Sequence, residues 1–141
     1  MKIKILIVNA NYYSEISSDL VADVRQILSK NKIQYDLINV PGAFEIPVVI
    51  SKNIKKYNGF IALGCIIKGE TPHFEFISKS IIDGLMKLSI ESKKPIGNGV
   101  LTCLNIQQGI DRSSLKGQKR KGREAAKATL SVLGVLKNES K

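Results

Sequence analysis

The sequence predicts a single three-layer α/β/α domain, residues 1–141, built on a four-stranded parallel sheet. Three observations carry that expectation. Short apolar runs alternate with longer amphipathic stretches in the order βαβαβαβαα, the pattern of strands joined by crossover helices. The runs are apolar nearly throughout rather than alternating, as in strands covered on both faces. No composition break, repeat or low-complexity linker divides the chain, and its 141 residues suit one hydrophobic core.

Each element has its own signal. Ile3 to Val8 is an apolar run broken only by Lys4 and reads as a doubly buried strand. Ser14 to Asp19 offers several N-cap residues, and Ile16, Leu20, Val24, Ile27 and Leu28 follow at helical spacing. Tyr35 to Val40 is a second strand. Ala43 to about Lys56 reads as a helix, with Pro47 tolerable only in its first turn. Phe60 to Ile67 is a third strand. Thr71 is expected to cap a long helix with Pro72 at its first position, where the missing N–H costs nothing. The apolar stripe of that helix is Phe74, Ile77, Ile81, Leu85 and Leu88, and Lys93-Lys94-Pro95 ends it. Ile96 to Thr102 is a fourth strand, weakened by Gly97 and Gly99. Asn105 to about Asp111 is a short helix, and Lys121 to Leu136 is the last.

Composition narrows the function classes. The hydrophobic fraction is 43% and the charged fraction 24%, ordinary for a soluble fold. No apolar run approaches the roughly 20 residues a bilayer requires. The basic-then-apolar start at Met1 to Val8 stops at Asn9, too short for a signal peptide, so a cytoplasmic protein is expected. Cys65 and Cys103 lie far apart, neither is in a CxxC pair, and the chain has one histidine, a combination that speaks against a structural zinc site and for two buried reduced thiols. Lys and Arg number 22 against 12 Asp and Glu, a formal net charge of +10. That charge favours an anionic partner without choosing among a phosphorylated substrate, nucleic acid and an acidic surface.

In an open parallel sheet, ligands bind beyond the carboxyl ends of the strands. Four segments are expected to converge there: Asn11-Tyr12-Tyr13, Pro41 to Glu45, Lys68 to His73, and Gly97 to Thr102. The third is the richest. Gly69 admits a close backbone approach, and the helix start near Thr71 offers unpaired N–H groups and a partial positive charge suited to phosphate. His73 lies in the first turn at the same mouth, where the dipole favours a neutral imidazole able to accept a proton. The bland alternative is a surface histidine. Glu45 either compensates a helix dipole or positions a polar ligand, and Phe44 and Tyr12 either pack on a flat ring or fill the core. Lys116 to Arg123 carries five cations. It is a solvated loop, a nucleic-acid patch or a funnel for an anionic substrate. No aromatic residue follows Phe76, against a single-strand binder. Arg112, at the end of the short helix, has the reach for a bidentate grip on phosphate.

PGAFEIP (Pro41 to Pro47), GCIIKGETPHFEFI (Gly64 to Ile77), NGVLT (Asn98 to Thr102) and KGREAA (Lys121 to Ala126) together resemble the 6,7-dimethyl-8-ribityllumazine synthase family of riboflavin biosynthesis, in order and spacing over nearly the whole chain. The resemblance implies a flavodoxin-like domain. It implies a transferase that condenses 5-amino-6-(D-ribitylamino)uracil with 3,4-dihydroxy-2-butanone 4-phosphate, releasing phosphate and water, without metal or organic cofactor. By position, it implies that His73 transfers protons. Tyr12 stacks on the pyrimidine, and Ala43, Phe44 and Glu45 hold the ribityl chain. Cys65, Ile66 and Ile67 contact the pyrimidine through their backbone, and Glu70 and Thr71 form the phosphate–ketone site. Asn98 and Arg112 match positions supplied by a neighbouring subunit, with Arg112 on the phosphate. The family forms free pentamers or capsids of twelve pentamers, sometimes with riboflavin synthase. Three departures mark this chain. Asn98 stands where some members have an aromatic residue. The sequence opens directly on its first strand. The loop between Arg112 and Lys121 is one residue longer than in many members, which points to the free homopentamer.

Two rivals remain on the residues alone. A non-catalytic lumazine- or flavin-binding relative would bind without turnover, although the joint presence of Glu45, Thr71, His73 and Arg112 argues against it. A nucleic-acid-binding domain would show steeply salt-dependent binding; the expectation here is small-molecule substrates, with neither nucleic acid nor membrane as partner.

Overall fold

In a computed structural model, which describes residues 2–137, the apolar run at the start of the chain forms strand β1, Lys4–Ala10, starting one residue after Ile3 and ending two residues beyond Val8. Its residues Ile5 to Val8 are fully buried. β2 (Gln34–Val40), β3 (Gly59–Ile67) and β4 (Ile96–Cys103) complete one sheet in the order β2-β1-β3-β4, every pairing parallel. This is the strand order of flavodoxin-like sheets. Helices α1 (Ser14–Lys30), α2 (Ile46–Lys52), α3 (His73–Ser92), α4 (Ile106–Ser113) and α5 (Lys121–Leu133) make the crossovers and outer layers.

The sheet separates two cores. Ile5, Ile7, Ile61, Leu63 and Leu101 pack under α1 and α5 through Ile16, Leu20, Val24, Ala126 and Leu130. Leu6, Val8, Phe60, Ala62 and Val100 pack on the other face under α2 and α3 through Ile46, Ile50, Ile81 and Leu85. Odd and even positions of β1 thus feed opposite layers, the period-two consequence of a pleated strand. The three-layer α/β/α expectation matches this arrangement.

Several element limits differ from expectation for local reasons. The stretch expected as one helix from Ala43 to about Lys56 is a one-turn 3-10 helix, Ala43–Glu45, followed by α2, which closes at Asn53. Pro47 sits in the first turn of α2, where its missing N–H is harmless. α3 begins at His73 rather than Pro72, with its cap one residue later than expected. Pro72 (φ −68°, ψ 3°) is its N-cap, and the Thr71 hydroxyl accepts weakly from the His73 N–H at 3.3 Å. α5 stops at Leu133 because Gly134 turns left-handed (φ 74°), three residues before Leu136.

Gly97 and Gly99 play a different part from the strand-weakening one expected. A Cβ at Gly97 would lie 2.2 Å from Thr129 Oγ1 and 2.5 Å from the Ala125 carbonyl, and one at Gly99 2.5 Å from Leu63 Cδ2. Gly97 lets α5 lie directly on β4, and Gly99 makes room for Leu63 of β3, so both are packing requirements rather than weak points. Among the described residues no helix is long and apolar enough to cross a membrane.

Candidate active site

Parallel pairing brings the carboxyl ends of the strands to one edge, and three of the four expected segments meet there. β3 pairs with β1 from Gly59 to Leu63 and continues four residues past that register, so Gly64 to Ile67 project beyond β1 along β4. Gly64 makes room for its neighbours. A Cβ there would stand 3.0 Å from the Ala10 methyl and 3.8 Å from the Ala43 methyl, which ties the ends of β1 and β3 to the Ala43 segment. Asn11 N–H closes the corner on the Val40 carbonyl at 3.1 Å, and Lys68 N–H on the Cys103 carbonyl at 2.9 Å.

The fourth segment divides. Thr102 and Cys103 reach the edge, but Gly97 and Asn98 pair with Ile61 and Ala62 in mid-sheet. At roughly 3.3 Å per residue, Asn98 lies about 16 Å back from Cys103 along the strand. The expected convergence of Gly97 to Thr102 on that edge is therefore corrected for its first part: a strand carries only its last residues to the carboxyl edge. Asn98 Oδ1 accepts from the Val100 N–H at 3.0 Å on the outer strand.

At the edge itself, Gly69 to His73 are exposed, as are Tyr12 (74%) and Phe44 (60%). Core burial is thereby removed as an explanation of the two aromatic rings. Tyr12 stands edge-on to Tyr13, with centroids 4.9 Å apart at 83°. Phe44 and Glu45 open onto a second surface. With Pro47, Val48, Ser80 and Ile81 they line a cavity of about 400 Å³ between α2 and α3. Ala43 packs partly into the core below. Cys65 is buried beside Gly109 of α4, while Ile66 and Ile67 are half-buried. Burial first, and then the charge and hydrogen bond of Cys103, push the Cys65 thiol up to about 12. Both cysteines are free, as expected.

Arg112 belongs to a different surface. It lines a cavity of about 440 Å³ with Asn98, Val100, Leu101, Thr102, Lys121, Glu124, Ala125 and Ala128. No residue of the 68–73 segment is among those that line it. The Arg112 Nη1 donates to the Gln108 carbonyl at 3.1 Å, which holds the side chain against its own helix. Asn105 fixes the start of that helix, its Oδ1 accepting from Gln108 N–H at 2.9 Å. The expected residues therefore form two groups. Tyr12, Ala43, Phe44, Glu45, Cys65, Ile66, Ile67, Glu70, Thr71 and His73 cluster at the carboxyl edge of β1, β2 and β3; Asn98 and Arg112 share a cavity between β4, α4 and α5. The described residues contain no group of three or more His, Cys, Asp or Glu arranged to hold a metal ion.

Comparison with known proteins gives this division a context. Residues 2–137 match the family model described as 6,7-dimethyl-8-ribityllumazine synthase. The chain belongs to the 6,7-dimethyl-8-ribityllumazine synthase family. It is accordingly an enzyme, a transferase, with the function of that family in riboflavin biosynthesis. Relatives bearing that name include one from Bartonella bacilliformis, 42% identical, covering 94% of this chain and 90% of the relative. Another, from Clavibacter michiganensis, is 41% identical over 96% of this chain and 86% of the relative. A third, from Paenarthrobacter aurescens, is 38% identical over 99% and 88%.

Two polar features of this lumazine synthase family member escape a reading of the sequence. Lys121 and Glu124 enter the Arg112 cavity side by side, Lys121 Nζ lying 3.4 Å from Glu124 Oε1. Spacing within the basic run does not separate Lys121 from its neighbours; only the three-dimensional position of the first turn of α5 does. Asn9, which the sequence offers only as the end of an apolar run, is buried at the carboxyl end of β1 and donates through Nδ2 to Asn39 Oδ1 at 3.0 Å.

Proposed function

We propose that the chain condenses 5-amino-6-(D-ribitylamino)uracil with 3,4-dihydroxy-2-butanone 4-phosphate in a site shared between two subunits of a cytoplasmic homopentamer. The single observation that supports sharing is the split just described. The exposed His73 edge and the Arg112 cavity lie on different surfaces of one protomer, and a phosphorylated ketone needs both a proton-transfer group and cationic donors.

In this reading Tyr12 stacks on the pyrimidine, the backbone of Cys65, Ile66 and Ile67 contacts its edge, and Ala43, Phe44 and Glu45 hold the ribityl chain. Glu70 and Thr71 bind the ketone phosphate from one subunit. The hydroxyl of Thr71 keeps its proton free to donate, since its oxygen accepts the His73 N–H. The partner subunit brings Arg112, with Asn98 beside it. The pyrimidine amine attacks the ketone, and water leaves to give an imine. Phosphate is then eliminated, the enol left behind becomes a ketone, and the second amine closes the ring on that ketone with loss of a second water. His73, at the mouth of α3, moves the protons. The start of α3 and the guanidinium of Arg112 stabilise the departing phosphate. Holding two substrates in register supplies much of the remaining acceleration. The eight-residue connection between Arg112 and Lys121 favours free pentamers over capsids of pentamers. The product is the substrate of riboflavin synthase, and a complex with that enzyme is part of the proposal, to be sought by co-sedimentation.

The decisive test is formation of the fluorescent lumazine from the two substrates by purified protein without added metal. Binding of a lumazine with no turnover would overturn the catalytic reading. Light scattering at the mass of a single protomer would overturn the shared site.

A further inference from the structure

The structure contains a charge that the catalytic reading leaves unused. Asp23, on the inward face of α1, is 1% exposed. It sits among the core residues Leu20, Val24 and Ile27 of its own helix. Its partner comes from the far end of the chain. Arg120 Nε donates to Asp23 Oδ2 at 3.2 Å, and Arg120 Nη2 donates to Oδ1. The guanidinium thus forks onto both carboxylate oxygens, the geometry that fixes orientation as well as charge.

Arg120 is also one of three non-glycine residues with positive φ among those described (φ 34°, ψ 64°), and it immediately precedes α5. A left-handed arginine is held there only by its surroundings. The next two residues show what its conformation sets. Lys121 lines the Arg112 cavity. Gly122 lies so close to α1 that a Cβ would stand 2.6 Å from the Leu20 carbonyl oxygen. The segment back to Arg112 is folded on itself: Gly117 N–H donates to the Ser114 carbonyl at 3.1 Å, and the Ser113 hydroxyl to the Gly109 carbonyl at 2.8 Å.

We propose that the Asp23–Arg120 ion pair is a positioning device for the anion-binding edge, setting the entry of α5 so that Lys121 and Arg112 face one cavity and receive the phosphate of the butanone substrate. Neither Asp23 nor Arg120 touches substrate; each acts through the turn between them. The proposal rests on the functional reading above, since it is the phosphorylated substrate whose binding should depend on the pair.

The test is steady-state kinetics on the assembled enzyme with each substrate varied in turn, together with 31P NMR titration of inorganic phosphate. Arg120→Lys keeps a cation but loses the fork. Asp23→Ala with Arg120→Gly removes both charges, and glycine accepts positive φ at no cost. The double variant therefore loses the device without leaving a buried charge alone. The expected result for the double variant is a KM for the phosphorylated substrate raised about tenfold, a KM for the aminopyrimidine within about twofold, and a weakened phosphate titration. Arg120→Lys should fall between it and the wild type. A double variant with both KM values and phosphate binding unchanged overturns the proposal, as does an equal rise in both KM values, which marks a merely structural pair. Absence of turnover in the wild type, with phosphate binding intact and dependent on the pair, overturns the functional reading instead and keeps the positioning role.

Discussion

Replacing Gly97 with alanine tests how tightly α5 must lie on the sheet. The added methyl would stand 2.2 Å from Thr129 Oγ1 and 2.5 Å from the Ala125 carbonyl oxygen, and the second of these is backbone. Ordinary contacts need about 1 Å more, so either β4 or α5 has to move. Thr129 is buried, and its hydroxyl donates to that same Ala125 carbonyl at 2.8 Å, so the methyl also displaces a satisfied hydrogen bond. Overpacking a dense core costs about 1–3 kcal/mol. An impaired buried hydrogen bond adds roughly 1 kcal/mol. The sum, about 2–4 kcal/mol, corresponds to a fall in Tm of roughly 6–14 °C for a chain of this size. Differential scanning calorimetry on the assembled protein reads it, with Gly69→Ala as control. No atom lies within 4 Å of a Cβ at Gly69, so its Tm should stay within about 2 °C of wild type. Because α5 also carries Lys121 and Glu124 into the Arg112 cavity, Gly97→Ala should lower turnover as well. A Tm within about 2 °C of wild type would refute the packing argument.

The remaining expectations concern the site and its charges. His73→Ala should lower kcat by about a hundredfold or more with an unchanged Tm, because His73 is exposed and its proposed role is proton transfer rather than packing. Arg112→Ala should instead raise KM for the phosphorylated substrate by about tenfold or more, read in the same fluorescence assay. Native Cys65 should resist iodoacetamide at about pH 8, since burial and the neighbouring Cys103 push its thiol up to about 12; intact-mass measurement should show labelling only after unfolding. At the amino edge of the sheet, Tyr57 Oη donates to Asp36 Oδ2 at 2.6 Å, and Lys4 Nζ lies 3.0 Å from the same oxygen. The hydrogen bond from Tyr57, then that from Lys4, holds the Asp36 carboxyl below its ordinary range, while the bond to Asp36 pushes the Tyr57 phenol up to about 12. A lowered carboxyl stabilises above its unfolded pKa and loses that contribution as pH falls. A raised phenol stabilises fully below its unfolded pKa, about 10, and loses that contribution as pH rises toward its folded value. Tyr57→Phe should therefore flatten both flanks of the Tm-versus-pH curve, and an unaltered curve would count against the cluster.

The fold was legible because its signals are local and repeated. Continuous apolar runs mark β1 and β3, and helical spacing marks α1, so the sheet and its layers follow from pattern alone. Boundaries were less legible where two capping options compete. Thr71-Pro72 satisfies the usual helix-start pattern one register early, and the turn at Ala43–Glu45 tightens before Pro47 admits a regular helix. Gly97 and Gly99 look like strand breakers in sequence because their reasons lie far along the chain, in Ala125 and Thr129 for Gly97 and in Leu63 for Gly99. The site showed the same limit. His73 and its neighbours form a contiguous segment, so the sequence alone nominates them together. The residues themselves nominate Arg112 for a phosphate, but its company with Lys121 and Glu124 depends on how α4 and α5 return to the sheet. The pairing of Asp23 with Arg120 spans 97 positions and leaves no mark on either local pattern.

Co-assembly of two impaired variants, assayed with the phosphorylated substrate well below its KM, tests the shared site most directly. Protomers carrying His73→Ala should be dissociated, mixed in equal amounts with protomers carrying Arg112→Ala, and reassembled. If His73 and Arg112 of one site come from different subunits, random mixing produces some interfaces with both native residues, and about a quarter of wild-type activity should return. Activity no higher than the mean of the two separate variants would contradict the account.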